Sequence, residues 1–147
     1  MSETIAVILN NKSRDIWSVD PESTVYDAIA LMAEKSIGAL LVVDHDRLVG
    51  IISERDYARK VILQGRSSKD TRVEEVMTHS VITVSPEHTV DECMRIMTHH
   101  RIRHLPVLER DRLVGVLSIG DLVNAIISRQ AQTIDHLHGY ITGKYPA

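Results

Sequence analysis

Aromatic residues and cysteine are scarce in this sequence: its 147 residues include no Phe, one Trp and one Cys. A core built from it must therefore be packed mainly from aliphatic side chains. A single cysteine, Cys93, excludes an internal disulfide. Because Cys93 lies among apolar residues at helical spacing, the pattern favours a buried structural thiol over a nucleophile.

The sequence also lacks a large excess of either charge and has no long apolar run. The formal net charge is −3, and no block of basic residues is present. This disfavours a strong, salt-dependent nucleic-acid binder. The chain does not open with a charged-then-apolar signal pattern, and no apolar run approaches the ~20 residues of a membrane-spanning helix. We therefore predict a cytoplasmic protein with no membrane association.

Recognisable catalytic and metal-binding motifs are absent as well. The sequence has no Ser/His/acid arrangement, metal cluster or Gly-rich phosphate loop. His136 and His138 have no third ligand at suitable spacing, so a surface helix is favoured over a metal site. We predict that the protein is not an enzyme and holds no metal.

What the chain does contain is a duplication. Gly50 to Asp56 reads Gly-Ile-Ile-Ser-Glu-Arg-Asp, and 65 residues later Gly115 to Asp121 reads Gly-Val-Leu-Ser-Ile-Gly-Asp. The same offset aligns the upstream residues without a gap. We therefore divide the chain into repeat 1, residues 1–75, and repeat 2, residues 76–147. Because a unit this small buries too little surface alone, the two repeats should pack together.

Each repeat predicts the order strand, helix, strand, strand, helix, which is a mixed α/β (α+β) fold. Thr24 and Asp27 form a capping pair for the first helix. The apolar run 39–43 is typical of a buried strand, and a polar turn joins it to the next strand in a hairpin. The last helix is expected to extend to about His138, beyond which Gly139 and Gly143 loosen the tail.

The repeated Ser-x-x-Asp has two interpretations. In the structural one, Ser caps a helix, the acid suits the positive helix end, and the preceding Gly lets the backbone turn sharply. In the functional one, the same helix start attracts anions, and the Asp accepts two hydrogen bonds from the cis-diol of a ribose. The motif by itself leaves both open.

Four features together carry a resemblance to a known family. They are the element order, a hydrophobic-x-Val-x-Pro-x-x-Thr-Val start, the strand Leu105-Pro106-Val107, and the Gly-hydrophobic-hydrophobic-Ser-x-x-Asp ending. The sequence resembles paired CBS domains (cystathionine β-synthase domains, a Bateman module) over roughly residues 13 to 128. Repeat 1 departs from the pattern, since Leu40-Leu41-Val42 lacks the Pro. The resemblance implies two β-α-β-β-α repeats, related by a pseudo-twofold axis and packed through their sheets.

The resemblance further implies a regulatory module that binds adenosine compounds, namely AMP, ADP or ATP and sometimes NAD or S-adenosylmethionine. Two composite sites would draw on both repeats. In site one, the Ser-x-x-Asp signature and a nearby strand residue would be Ile51, Ser53 and Asp56. The residues that flank the adenine would be Val81, Ile82 and Thr83, those at the phosphate end Arg101, Arg103 and His104, and the one beside the base Pro106. In site two, the signature and its strand residue would be Val116, Ser118 and Asp121, and the opposite wall would be Lys12, Ile16, Trp17, Ile37, Gly38 and Ala39.

The two predicted sites differ in charge. The run from His99 to His104 is cationic, whereas its counterpart in repeat 1 has Gly38 and Ala39 in place of Arg103 and His104. Because Arg binds phosphate through a bidentate fork, site one is predicted to be the better anion site. Site two should be weaker for a monophosphate or suit a bulkier group. Positive charge at a helix C-terminus is the alternative explanation of the run.

These implications lead to one functional hypothesis and several alternatives. The protein would be a stand-alone sensor of energy or redox state, a homodimer, that shifts between conformations when a ligand binds and acts on an unknown target protein. A ligand-free oligomerisation scaffold is the main alternative. A nucleotide hydrolase and an RNA or DNA binder have less support from the residues. The sequence does not choose among the adenosine ligands.

Overall fold

The computed structural model describes residues 3–12 and 15–141, with side chains as far as residue 130. The chain forms two compact units. The first unit is Asp15–Thr83, and the second unit combines the start of the chain with the residues from Val84 onward. In chain order the elements are α1 (Ile5–Asn11), β1 (Ser18–Val19), α2 (Val25–Lys35), β2 (Ala39–Asp44), β3 (Arg47–Ser53), α3 (Glu54–Tyr57), a π-helical turn (Ala58–Ile62), α4 (Val73–Val76), α5 (Val90–His100), β4 (His104–Glu109), β5 (Arg112–Ser118) and α6 (Ile119–Ile141).

The first unit is built on a three-stranded sheet in the order β1-β2-β3. β1 runs parallel to β2, and β2 pairs with β3 in an antiparallel hairpin. His45 and Asp46, at the tip, both have positive φ, as the tight primed hairpin turns require. The side chains of α2, β2, β3, the π-helical turn and α4 with the residue after it enclose an aliphatic core: Val25, Ala28, Met32, Leu40, Val42, Ile52, Val61, Val73, Val76 and Met77.

The second unit repeats this plan with β4 and β5. The hairpin has the same register and an irregularity at the equivalent position, between Val107 and Leu108. Arg110 and Asp111 adopt positive φ at its tip. A parallel bridge from Val84 to Val107 takes the place of β1. The buried side chains are again aliphatic, apart from one thiol: Ile5, Leu9, Val84, Val90, Cys93, Met97, Leu105, Val107, Leu117 and Leu122.

The mixed α/β class and the predicted element order are confirmed. Thr24 caps α2 by accepting from the backbone N–H of Asp27 at 3.1 Å. Cys93 is fully buried, and burial raises the pKa of its thiol to about 11, which suits a structural residue. α6 continues through Gly139 to Ile141, so the expected loosening at that glycine is wrong; Gly143 lies outside the described residues.

In the part of the chain that the structure describes, none of the helices combines the length and the hydrophobicity needed to cross a bilayer.

In each unit one segment binds the start of the first long helix. The linker segment, residues 71–80, binds the start of α2 through two backbone hydrogen bonds of 2.8 Å. The leading segment, residues 3–12, binds the start of α5 through equivalent bonds of 2.9 and 3.0 Å. The leading segment therefore runs into repeat 1 along the chain but packs with repeat 2.

Two strand glycines make room for these segments. A Cβ on Gly50 would lie 2.5 Å from Met77 Sδ, and one on Gly115 would lie 2.7 Å from Leu9 Cδ2. Both glycines sit inside strands, and neither has positive φ. Our interpretation of them as sharp turns is therefore wrong. Their role is to admit the close approach of another segment, which is a common reason for glycine in a strand.

We predict that Gly115→Ala lowers the free energy of unfolding by about 1–3 kcal/mol, because the added methyl overlaps Leu9. Gly120→Ala is the matched control, since its Cβ would meet nothing closer than Ser118 Oγ at 3.5 Å in a helical turn. The control should be neutral or stabilising. Urea unfolding measures both, and equal stability of the two variants would contradict the steric role.

Candidate functional site

The first Ser-x-x-Asp signature lies where β3 ends and α3 begins. Ser53 Oγ accepts from the backbone N–H of Asp56 at 3.1 Å. In return, Asp56 Oδ2 accepts from the backbone N–H of Ser53 at 2.9 Å and from Ser53 Oγ at 3.1 Å. This reciprocal capping box satisfies donors at the helix start that would otherwise lack partners.

The second signature has the same geometry at the junction of β5 and α6. Asp121 Oδ2 accepts from the backbone N–H of Ser118 at 2.9 Å, and Ser118 Oγ accepts from that of Asp121 at 3.1 Å. The structural interpretation of the motif is therefore correct in both repeats. It does not exhaust the motif, because each aspartate also contacts an ammonium group.

The two ammonium groups come from different parts of their units. Lys60 Nζ lies 3.1 Å from Asp56 Oδ1 and donates to Val76 O at 2.9 Å. Lys12 Nζ lies 2.7 Å from Asp121 Oδ2 and donates to Val116 O at 2.8 Å. Each lysine thus bridges a signature aspartate and a backbone carbonyl.

Lys60 is a site residue that sequence reasoning missed, although a signal was present. Asp56 and Lys60 are four residues apart, a spacing at which opposite charges meet on a helix. Its counterpart in repeat 2 is Ala125, so the 65-residue alignment gives no hint of a shared role. Lys12 was predicted in site two, and the structure places it against Asp121.

The ionisation of Asp121 follows from these contacts. Burial raises the pKa of its carboxyl group, but the Lys12 ammonium and the Ser118 N–H outweigh burial and hold it below its usual range. Asp121 is therefore a carboxylate at neutral pH and accepts hydrogen bonds only.

His104 belongs to the same cluster as Asp121. It faces Ser118 across the β4–β5 ladder and is half-buried. Burial lowers the pKa of its ring, Asp121 opposes that shift, and Arg103 and Lys12 add to it. His104 is thus neutral near pH 7 and stands beside the signature of site two. Its predicted contribution to site one stays a prediction.

The remaining predicted residues are divided between the two units. In the first unit Ala39 faces Ser53 across the sheet, and the exposed Trp17 ring stacks under Lys35 Nζ at 4.2 Å. In the second unit Pro106 is buried opposite Val116, and Arg101 ends α5 with positive φ. The first unit also contains Ile16, Ile37, Gly38, Ile51, Val81, Ile82 and Thr83, and the second also contains the exposed Arg103.

The structure therefore brings together Lys12, Val116, Ser118 and Asp121, four of the residues assigned to site two. Their role in binding a ligand stays a prediction. The composite arrangement of both sites stays a prediction. Among the residues with described side chains, no three His, Cys, Asp or Glu are grouped as a metal site would require. The side chains of His136 and His138 lie outside that part of the chain.

We predict that His104 titrates with a midpoint below the ordinary value of 6.5. Asp121→Asn should lower the midpoint further, because it removes the one charge that favours the protonated ring. Two-dimensional NMR of the imidazole protons measures this, with His104→Gln assigning the signal. A midpoint at or above 6.5, or one unaffected by Asp121→Asn, would show that burial and Asp121 do not set the pKa.

The family profile, the similar proteins and the similar solved structures all point to one family. The family profile of the CBS domain matches residues 11–62 and 73–128. The CBS domain-containing protein CBSX3, mitochondrial, of Arabidopsis thaliana is 42% identical over 98% of this chain and 74% of its own length. The solved structure of a protein with CBS domains from Burkholderia ambifaria MC40-6 is 59% identical, with a TM-score of 0.85, over 87% of this chain and 96% of that one.

Two further solved structures carry information on ligands and assembly. The CBS domain pair of protein MJ0100, in complex with 5′-methylthioadenosine and S-adenosyl-L-methionine, is 27% identical with a TM-score of 0.77, over 88% of this chain and 99% of that one. The hexameric CBS-CP12 protein from bloom-forming cyanobacteria is 31% identical with a TM-score of 0.74, over 84% of this chain and 67% of that one.

Proposed function

The chain belongs to the CBS-domain family, and from this premise we propose that it is a regulatory module that binds adenosine-derived ligands through its two Ser-x-x-Asp signatures. One observation carries the proposal. Both aspartates are held in the same capped geometry, and both keep part of the carboxylate in contact with solvent, with 15% and 23% of their side chains exposed. A cap alone does not require an ammonium partner in each copy.

The chemistry of this arrangement suits a ribose. A carboxylate accepts two hydrogen bonds from neighbouring hydroxyls, and the helix start beside it favours a negative charge. A ligand that combines a cis-diol with phosphate would satisfy the aspartate with its diol. Its phosphate would lie near the positive start of the helix. AMP, ADP and ATP have this combination, and so does NAD.

The relative that binds 5′-methylthioadenosine and S-adenosylmethionine supports the adenosine part of the proposal. Those two ligands share the adenosine unit with the nucleotides but have no phosphate. The sequence prediction that Arg103 lines the phosphate end of site one favours nucleotides there, because Arg binds phosphate through a bidentate fork. The predicted wall of Gly38 and Ala39 would suit a bulkier or unphosphorylated group at site two.

We propose that the module acts as an energy or redox sensor rather than as an enzyme. The ligand would bind one conformation more tightly and so increase its population, and an unknown target protein would recognise that conformation. We retain the cytoplasm as the proposed location. The Arabidopsis relative, by its name, is mitochondrial.

The test is calorimetric titration of nucleotide-stripped protein with AMP, ATP, NAD and S-adenosylmethionine. Asp56→Ala and Asp121→Ala should each abolish one binding event, since each removes one ribose acceptor. Loss of the cap should lower stability by only about 1 kcal/mol. Glu92→Ala is the matched control, because it breaks the capping box of α5 without touching a signature.

The outcomes of this titration separate the hypotheses. Binding that survives in both aspartate variants would contradict the ribose role. If none of the four compounds binds the wild-type protein, the scaffold alternative gains support.

We further propose that the protein self-associates as a homodimer through α6. Ile119, Val123 and Ile127 follow one another at intervals of four on one face of this helix, and they are 36%, 39% and 55% exposed. Such a stripe is typical of a surface that another subunit covers. The hexameric relative shows that a larger assembly is an alternative.

We expect light scattering after gel filtration to give twice the chain mass for the wild type and the single chain mass for Val123→Glu, because a charge in the stripe opposes burial. Asn124→Glu, at an exposed neighbouring position on the same helix, should remain dimeric. A monomeric wild type, or a dimer unaffected by Val123→Glu, would exclude this interface.

A further inference from the structure

In each unit, the strand residue two positions before the signature serine holds the neighbouring segment. In the first unit, Ile51 and Thr78 exchange two backbone hydrogen bonds of 3.1 and 2.9 Å. The residue equivalent to Ile51 in the second unit is Val116. Its carbonyl accepts from the Lys12 side chain at 2.8 Å. The Val116 carbonyl therefore holds a side-chain ammonium of the leading segment, and the Ile51 carbonyl holds the backbone N–H of Thr78 in the linker segment. The residue aligned with Thr78 is Ser13, which lies outside the described residues.

The same ammonium is the partner of Asp121. Lys12 Nζ lies 2.7 Å from Asp121 Oδ2, which also accepts from the Ser118 N–H. In the first unit, the partner of Asp56 is Lys60, from the same helical stretch as the aspartate. Lys60 also bonds Val76 O in the linker segment, but there the bridge at Thr78 is independent of Asp56.

We propose that Lys12 is a latch that couples the occupancy of Asp121 to the docking of the leading segment. A ligand that forms hydrogen bonds with Asp121 displaces the Lys12 ammonium and weakens the packing of residues 3–12. Occupancy of Asp56 leaves the linker segment in place. The ligand half of this inference rests on the proposed function; the fastening of residues 3–12 by Lys12 does not.

Competition for one carboxylate is the physical basis of the latch. A ribose hydroxyl that donates to Asp121 Oδ2 meets an oxygen that already accepts from an ammonium and an amide. The Lys12 side chain is only 33% exposed, so an ammonium without its carboxylate is poorly solvated where it lies. It leaves toward water, and the end of the leading segment moves with it.

Hydrogen exchange of the intact, ligand-free protein tests the fastening. Lys12→Met removes the charge and keeps the length of the side chain. It should speed exchange in residues 3–12 by roughly three- to tenfold, the range expected for one charge-assisted hydrogen bond that is partly exposed. Lys60→Met is the matched control, and it should leave residues 3–12 unchanged. Asp121→Asn, which keeps an acceptor for the Ser118 N–H, should act like Lys12→Met.

Two results would overturn the fastening. One is a hydrogen-exchange rate of residues 3–12 in Lys12→Met that equals the rate in the wild type. The other is a rise of equal size in β4 and β5, which would indicate a general loss of stability instead of a local release. The double variant should exchange no faster than either single variant, since both remove the same contact.

The ligand half is tested with AMP and S-adenosylmethionine as probes. Binding at Asp121 should speed exchange of residues 3–12 in the wild type and produce no further increase in Lys12→Met. Because a competitor is gone, Lys12→Met should bind at Asp121 several-fold more tightly. Equal or weaker binding would overturn the competition. If neither probe binds the wild type, the proposed function fails together with the ligand half, whereas the ligand-free exchange still decides the role of Lys12.

Discussion

The close approach of a foreign segment to a strand glycine underlies the construction of both units. Gly115 leaves the space that Leu9 fills, and Gly50 does the same for Met77. A side chain at Gly50 would meet Met77 Sδ and the Thr78 backbone oxygen, and one at Gly115 would displace the Leu9 side chain. The aliphatic core of each unit then includes residues from outside its own repeat, such as Ile5 and Val76, which are buried. Neither repeat completes its core from its own sequence.

The signature aspartates combine two roles that do not conflict. As caps they hold the first turn of α3 and α6 in place, which fixes the position of the carboxylate. As ionised groups with some exposure they remain able to accept hydrogen bonds from a ligand. The cap uses a defined oxygen in both copies, so the acceptor is positioned before a ligand arrives. Such preorganisation reduces the ordering that binding requires.

Local features of the structure were predictable from the sequence because short-range patterns determine them. The helix that starts after Thr24, the cap at Ser53 and the burial of Cys93 all follow from a few neighbouring residues. The sequence interpretation failed where a distant segment decides the outcome. Gly50 appeared to be a turn because Met77 and Thr78, which occupy the space beside it, lie far along the chain.

The candidate site shows the same limit. Lys12 could be assigned through the family resemblance, but its bond to Val116 O could not, because the residue 65 positions later is Met77, whose side chain cannot donate such a bond. His104 was assigned from the order of residues, whereas its place beside Asp121 depends on the pairing of β4 with β5.

The order of the segments also has a consequence for the chain during its synthesis. Residues 3–12 emerge from the ribosome before the rest of repeat 1, yet the surface that buries Ile5 and Leu9 belongs to repeat 2. These apolar side chains therefore cannot be buried there until repeat 2 has been translated. Closing this long-range contact is an intrinsically slow step, and until it closes the nascent chain exposes a short apolar stretch, which favours aggregation.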